Sequence, residues 1–287
     1  LLSQTGLYAD IARATVAAAV LPYTPRYELW SDGAAKQRWI ALPASAQIDS
    51  ADMDAWRFPE GTKLWKEFRR DGVRLETRLL HKVGPDDADW LAVAYAWRAD
   101  GHDADLASAG VVHTLGTEHD IPSATQCQAC HGGARSFVLG FSAIQLTHLE
   151  AWHEHLSNAP AQPIEVPGDA VTQAALGYLH ANCGHCHNQH RPSHDGPRCF
   201  DPRKTFDLSL RVHQLGAVEQ TPTYQTALAT IVTPGAPEES TLLRRLRGAT
   251  LFGLPMPPLG AKKIDRAAVK TLSTWIASLA HQQPSER

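Results

Sequence analysis

No long apolar run is present. Nothing approaches the roughly 18 uninterrupted apolar residues of a membrane-spanning helix, and the apolar part of Ala9 to Leu21 is broken by Asp10, Arg13 and Thr15 before Pro22. The chain is therefore expected to be soluble. It starts at Leu1 without the charged segment and apolar core of a signal peptide, so such a leader is expected to have been removed or to lie outside these residues. Neither sign of charge dominates, since 27 Lys and Arg face 30 Asp and Glu for a formal net charge of -3. That balance gives no electrostatic reason to expect nucleic acid as a partner. Methionine is limited to Met53 and Met256, and the five cysteines are odd in number, which excludes a fully paired disulfide framework.

Four of the five cysteines are placed in a telling way. They form Cys127-Gln128-Ala129-Cys130-His131 and Cys183-Gly184-His185-Cys186-His187, and Cys199 stands alone. Two thiols separated by two residues reach the two vinyl groups on one edge of a porphyrin, and the next residue offers an imidazole to the iron. A redox dithiol could account for one such motif, but not for the repeat of a histidine after both pairs. A zinc site would need the pairs to converge on one ion and would leave both histidines unexplained. The motifs predict two haem c groups, with thioether links at Cys127, Cys130, Cys183 and Cys186 and with His131 and His187 as proximal iron ligands. The expected location is the periplasm, or another exported compartment.

The two motifs lie in segments of different character. Residues 1–125 hold six of the eight tryptophans and turn signals such as Ser31-Asp32-Gly33, Pro59-Glu60-Gly61 and Arg70-Asp71-Gly72. Thr62 to Phe68 alternates with period two, Asp71-Gly72 makes a turn, and Val73 to Leu79 repeats the pattern, which is a hairpin signature. Trp90 to Trp97 is a further strand. Residues 158–169 hold three prolines and no periodicity, a linker. Asp169 predicts the cap of a helix from Ala170 to about Asn182, and Asp265 that of another from Arg266 to about Ala280. The expected fold class is α+β: an antiparallel β-rich domain over 1–157 carrying one haem, a linker over 158–169, and an all-α cytochrome c-like domain over 170–287 carrying the second. Gly177 permits close approach of another helix, with Trp275 the expected partner.

Met256, in the run Leu254-Pro255-Met256-Pro257-Pro258, is the expected sixth ligand of the His187 haem, because flanking prolines make a rigid loop that can hold a thioether over the distal face. Such ligation raises the potential and suits electron transfer. The sixth ligand of the His131 haem stays open. Met53 lies between Asp52 and Asp54 in an expected exposed turn. His81, His102, His113, His119, His148, His153 and His155 are available, with His113 and His119 nearest upstream, and Lys66 projects to the strand face opposite Trp65. An unfilled site would leave five-coordinate iron able to bind a small molecule. The cluster His185, His190 and His194 reads as a polar loop, Cys199 as a buried thiol, and Arg244, Arg245 and Arg247 as a solvated helix face or a docking point for an acidic group.

Several stretches together resemble a family of bacterial di-haem c-type cytochromes: Leu29-Trp30-Ser31-Asp32-Gly33-Ala34, Phe58-Pro59-Glu60-Gly61-Thr62 with Trp65-Lys66-Glu67-Phe68, Glu76-Thr77-Arg78-Leu79, Ile121-Pro122-Ser123, Leu139-Gly140-Phe141, both haem motifs and Met256-Pro257-Pro258. The resemblance covers nearly the whole chain and implies a Trp-rich β-domain followed by a class I-like cytochrome domain. The Pro-x-Gly-Thr strand with its lysine is also similar to β-sheet cytochromes of the c-prime-beta type, in which haem packs on a sheet and often keeps an open distal side. The expected function is single-electron transfer between periplasmic redox partners. The alternative is a peroxidase-like or small-ligand-binding haem enzyme, with the His131 haem as its centre and the His187/Met256 haem as electron relay. A third reading takes the tryptophans as a carbohydrate- or partner-binding surface.

Overall fold

Between Lys63 and Trp97 the side chains alternate about the plane of a sheet, and this alternation shapes the first half of the molecule. The computed structural model describes residues 1–190, 206–248, 256–257 and 259–282. Two short strands, β1 (Tyr8–Asp10) and β2 (Thr15–Val16), pair with each other. Six more form one antiparallel meander in sequence order: β3 (Leu21–Pro22), β4 (Ala35–Ala41), β5 (Lys63–Arg70), β6 (Val73–Lys82), β7 (Trp90–Trp97) and β8 (Ala104–Leu106). The β5–β6 hairpin closes through Asp71 and Gly72 at φ 50° and 80°, the two left-handed residues that a twisted two-residue turn requires.

Each face of this sheet has its own chemistry. Trp39, Trp65, Leu79, Val93, Tyr95 and Trp97 project from one side into a core shared with Leu2, Leu7, Tyr8 and Val20. Burial of each such large side chain stabilises the fold by about 1.5–3 kcal/mol. Five of the six N-terminal tryptophans, Trp39, Trp56, Trp65, Trp90 and Trp97, are buried, so they pack the interior and do not form the binding surface of the third reading. The opposite face carries Ala92, Ala94 and Ala96 of β7, whose small side chains leave room for the helix α1 (Ala124–His131) packed against that strand.

The second half, among its described residues, is helical: α2 (Ala170–Asn182), α3 (Pro222–Thr230), α4 (Thr241–Leu246) and α5 (Arg266–Ser278), joined by short 3-10 turns. Asp169 accepts from Thr172 N at 2.8 Å and Asp265 from Ala268 N at 2.9 Å, so both expected caps satisfy open amides of the first turn. None of the described helices is long and apolar enough to cross a membrane.

Two expectations need correction. The chain divides into two compact units, one of Leu1–Arg26 with Gly33–Pro163 and the other of Tyr27–Asp32 with Ile164–Arg287. The break between Pro163 and Ile164 falls inside the proline-bearing segment 158–169, but residues 1–157 are not one block. Tyr27–Asp32 belongs to the helical unit because its backbone is bonded there: Asn182 Oδ1 accepts from Trp30 N at 2.6 Å, and Asn182 Nδ2 donates to Glu28 O at 3.1 Å. The atoms nearest Gly177 are those of Tyr27, not of the expected Trp275. A Cβ there would lie 2.0 Å from the Tyr27 ring, so the glycine makes room for that inserted segment, which no helical periodicity announces.

Candidate functional site

The first motif is set by local capping. Ser123 Oγ accepts from Gln126 N at 3.3 Å and Gln126 Oε1 accepts from Ser123 N at 2.9 Å, a reciprocal box that starts α1. Positions three and four apart share a helix face, so Cys127, Cys130 and His131 are presented together. Cys127 is buried, Cys130 and His131 are half-buried, and neither thiol is in a disulfide. Burial pushes the Cys127 thiol up, with Arg78 opposing.

His131 has a defined orientation. Its Nδ1 lies 2.7 Å from Phe137 O, and a carbonyl only accepts, so Nδ1 carries the proton and Nε2 keeps a lone pair. Burial lowers the imidazole to about 4, against an opposing contribution from the Phe137 carbonyl. Phe137 itself has φ 61°, an unusual conformation for a bulky residue. Its ring holds the backbone there, stacked on Trp90 at 6.0 Å and tilted against His131 at 5.3 Å. A second-sphere carbonyl that fixes the tautomer and aims the other nitrogen is how proteins orient histidine ligands.

Facing this helix, the sheet presents a row of cations. Arg38 of β4, Lys66 of β5 and Arg78 of β6 are direct cross-strand partners, followed by Ala94 of β7. The next row is Lys36, Phe68, Glu76 and Ala96. Arg78 donates to Glu76 at 2.6 and 3.0 Å, and His119 Nε2 lies 2.9 Å from the same carboxylate. Burial pushes the Glu76 carboxyl up, but Arg78 and His119 outweigh it and hold the group below its ordinary range. Lys66 and Arg78 lie over the Phe68 ring, 5.0 and 4.4 Å from its centroid. Burial, then Arg38, Arg78 and Lys36, pull the Lys66 ammonium well below the usual lysine range. Among the described residues, no carboxylate or carbonyl accepts from that ammonium. Of the three upstream candidates, His113 is exposed, with Nδ1 3.3 Å from Thr117 O, and His119 is engaged with Glu76. Lys66 is the one whose charge acts on His131.

The second motif follows the end of α2. Cys183 closes the helix, and Cys186 N and His187 N donate to Cys183 O at 3.1 and 2.8 Å. Gly184 is required between the cysteines, because a Cβ would lie 2.7 Å from His180 O and 2.9 Å from Leu208 O. Asn188 Nδ2 donates to Gly184 O at 2.8 Å and His185 O at 3.1 Å, which secures the turn. The His187 ring stacks on Phe206 with centroids 4.5 Å apart. Burial raises the Cys183 thiol to about 12, so the thiol is neutral. Trp275 Nε1 is a buried donor with no acceptor among the described residues.

Met256 belongs to the same unit as His187, half-buried, its N–H donating to Arg245 O at 3.3 Å. Its expected companions Leu254, Pro255 and Pro258 lie outside the described residues, as do His194 and Cys199. Met53 is half-buried in its turn, not exposed. Arg247 is held by Glu238 at 2.9 Å. Among the described residues no three His, Cys, Asp or Glu side chains converge on a bare ion. The chain matches no family model, no curated protein and no solved structure. Its functional reading rests on its own residues. Sequence reasoning missed the Phe137 carbonyl, Asn182, Asn188 and the Arg38–Lys66–Arg78 row; for the row the one available signal was a basic residue at each inward position of three neighbouring strands.

Proposed function

We propose that this chain is a di-haem c-type cytochrome, of the bacterial family it resembles, that passes single electrons between redox partners in the periplasm. One haem c is linked through Cys127 and Cys130 with His131 on its iron. The second is linked through Cys183 and Cys186, with His187 as proximal ligand and Met256 as the sixth ligand. The observation that carries this reading is His131 itself. It follows two thiols on one helix face that form no disulfide, is neutral, and has one nitrogen committed to Phe137 O, which leaves Nε2 for a metal. A haem brings four nitrogens of its own, so one aimed imidazole per site is sufficient where the described residues hold no bare-ion cluster.

The haems supply the one-electron iron couple; the chain holds and shields them. Phe137, Trp90 and Phe68 give the first site apolar walls, and the buried Trp275 and the half-buried Phe206 serve the second. The buried indole N–H of Trp275 fits a donor to the porphyrin's carboxylates. A second reading, a haem enzyme centred at His131, is favoured by one observation: the sheet row in register with Ala94 of β7, the strand on which α1 packs, is Arg38, Lys66 and Arg78 and holds no methionine.

The test is haem content and spin state. Purified protein matured in a host with haem-attachment machinery should carry two haems, and the Cys127→Ser/Cys130→Ser double variant one. Met256→Ala should lower the potential of the remaining haem. Colourless wild-type protein would refute the proposal, and a high-spin haem altered by peroxide would turn it toward the enzyme.

A further inference from the structure

We propose that the face of haem one opposite His131 is a binding site for a small oxyanion, formed by Arg38, Lys66 and Arg78. The inference rests on the haem reading above and goes further by naming the chemical class of ligand. Three cations in direct register on adjacent strands, with side chains on one face, stand about 5 Å apart at Cβ and repel one another. A sheet gains nothing from that arrangement by itself. Arg78 is neutralised by Glu76, which His119 also binds. Lys66 lies between the two guanidinium positions, and its described contact is the Phe68 ring. An anion with two or three oxygens can accept from adjacent donors of this kind at once, and guanidinium forks match such oxygens in geometry.

The groups facing this row come from every element around it: Lys36 and Arg38 of β4, Lys66 of β5, Glu76 and Arg78 of β6, His119, and Cys127, Cys130 and His131 of α1. Lys66 and Arg78 act on His131, and Arg78 acts on both thiols. With His131 Nδ1 turned back to Phe137, its Nε2 is the nitrogen free to meet iron, and α1 packs on β7, whose Ala94 continues the row. The haem's own propionates are the other source of anionic oxygen. The test below separates the two sources.

The test uses ferric holoprotein with two haems confirmed by haem content, so that absence of haem refutes the function and not this site. Nitrite is the anionic probe and imidazole the neutral one, each titrated against the Soret band. Wild type should bind both. Lys66→Leu should weaken nitrite at least about tenfold, the loss of one charge-assisted hydrogen bond, with imidazole changed less than about twofold. Arg78→Gln alone would strand Glu76, so the Glu76→Gln/Arg78→Gln double variant supplies the second measurement and should show the same selectivity. Three results would overturn the site: a low-spin wild type that opens to both probes in Lys66→Leu, which makes Lys66 an iron ligand; parallel loss of both probes; or altered haem retention with nitrite affinity unchanged, which makes the row a propionate clamp.

Discussion

At the residue scale, two side chains show how tightly the helical unit is fitted around its motif. Gly177→Ala would ordinarily gain about 1 kcal/mol of helix propensity. Here the added methyl would lie 2.0 Å from the Tyr27 ring, so the variant should instead lose about 1–3 kcal/mol by overpacking. Urea unfolding checks this, and Tyr27→Ala combined with Gly177→Ala should recover part of the loss. His180 is half-buried, and its Nδ1 accepts from Leu210 N at 3.0 Å, a role for the neutral ring. Burial and His185 lower it to about 4, with Asp207 opposing. An unfolded imidazole takes its proton near pH 6.5, so between those values the unfolded state binds more protons. The stability is complete above about pH 6.5 and falls as the pH drops toward 4, by on the order of 3 kcal/mol. His180→Asn keeps an acceptor near the Nδ1 position and should flatten that slope in unfolding measured across pH. The need for close approach at Gly177 was legible but its partner was not, and the role of His180 was not, because Tyr27 and Leu210 meet their partners only through the fold.

At the scale of elements, legibility followed the range of the interactions. The β5–β6 hairpin, β7, α2 and α5 were readable because each is written locally, by alternation, by Asp71-Gly72 or by a capping aspartate. The helix α1, which carries the first motif, has no amphipathic stripe and is set by its Ser123 cap, a weaker signal. The cation row left only a faint trace, a basic residue in each of three strands, since it exists as a row only once the registers of β4, β5 and β6 are fixed together. The segment Tyr27–Asp32 is the clearest case. Its Ser31-Asp32-Gly33 turn reads as part of the β-rich half, yet Asn182 binds Trp30 N and Glu28 O, Asp32 Oδ1 accepts from Lys263 N at 2.8 Å, and Trp30 Nε1 donates to Lys263 O at 3.1 Å. One segment thus ties the residue before Cys183 to the chain that follows Met256. Asn182→Ala should cost about 1–3 kcal/mol, the penalty for stranding buried backbone groups. On the proposed haem reading it should also perturb the spectrum of the Cys183/Cys186 haem and leave that of the other haem unchanged.

For the whole molecule, the route of the chain carries a consequence that domain boundaries drawn along the sequence would miss. The backbone enters the helical unit at Tyr27, leaves it after Asp32 and returns for good at Ile164. A cut within 158–163 therefore does not free the helical unit from the β-rich one, because Tyr27–Asp32 stays covalently part of the N-terminal piece while docked among α2 and the residues after Met256. Ala161, Gln162 and Pro163 are exposed, so a protease site inserted between Ala161 and Gln162 is accessible. After cleavage the two pieces should elute together from a sizing column in native buffer and separate in denaturant. Adding Trp30→Ala and Asp32→Ala removes the acceptor for Lys263 N and the indole donor to its carbonyl, and the nicked pieces should then separate far more readily. Separation of the unsubstituted nicked protein in native buffer would show that the inserted segment contributes little. On the proposed haem reading each haem would stay with the piece that holds its cysteines, so absorbance in the two fractions would also test for one haem in each half.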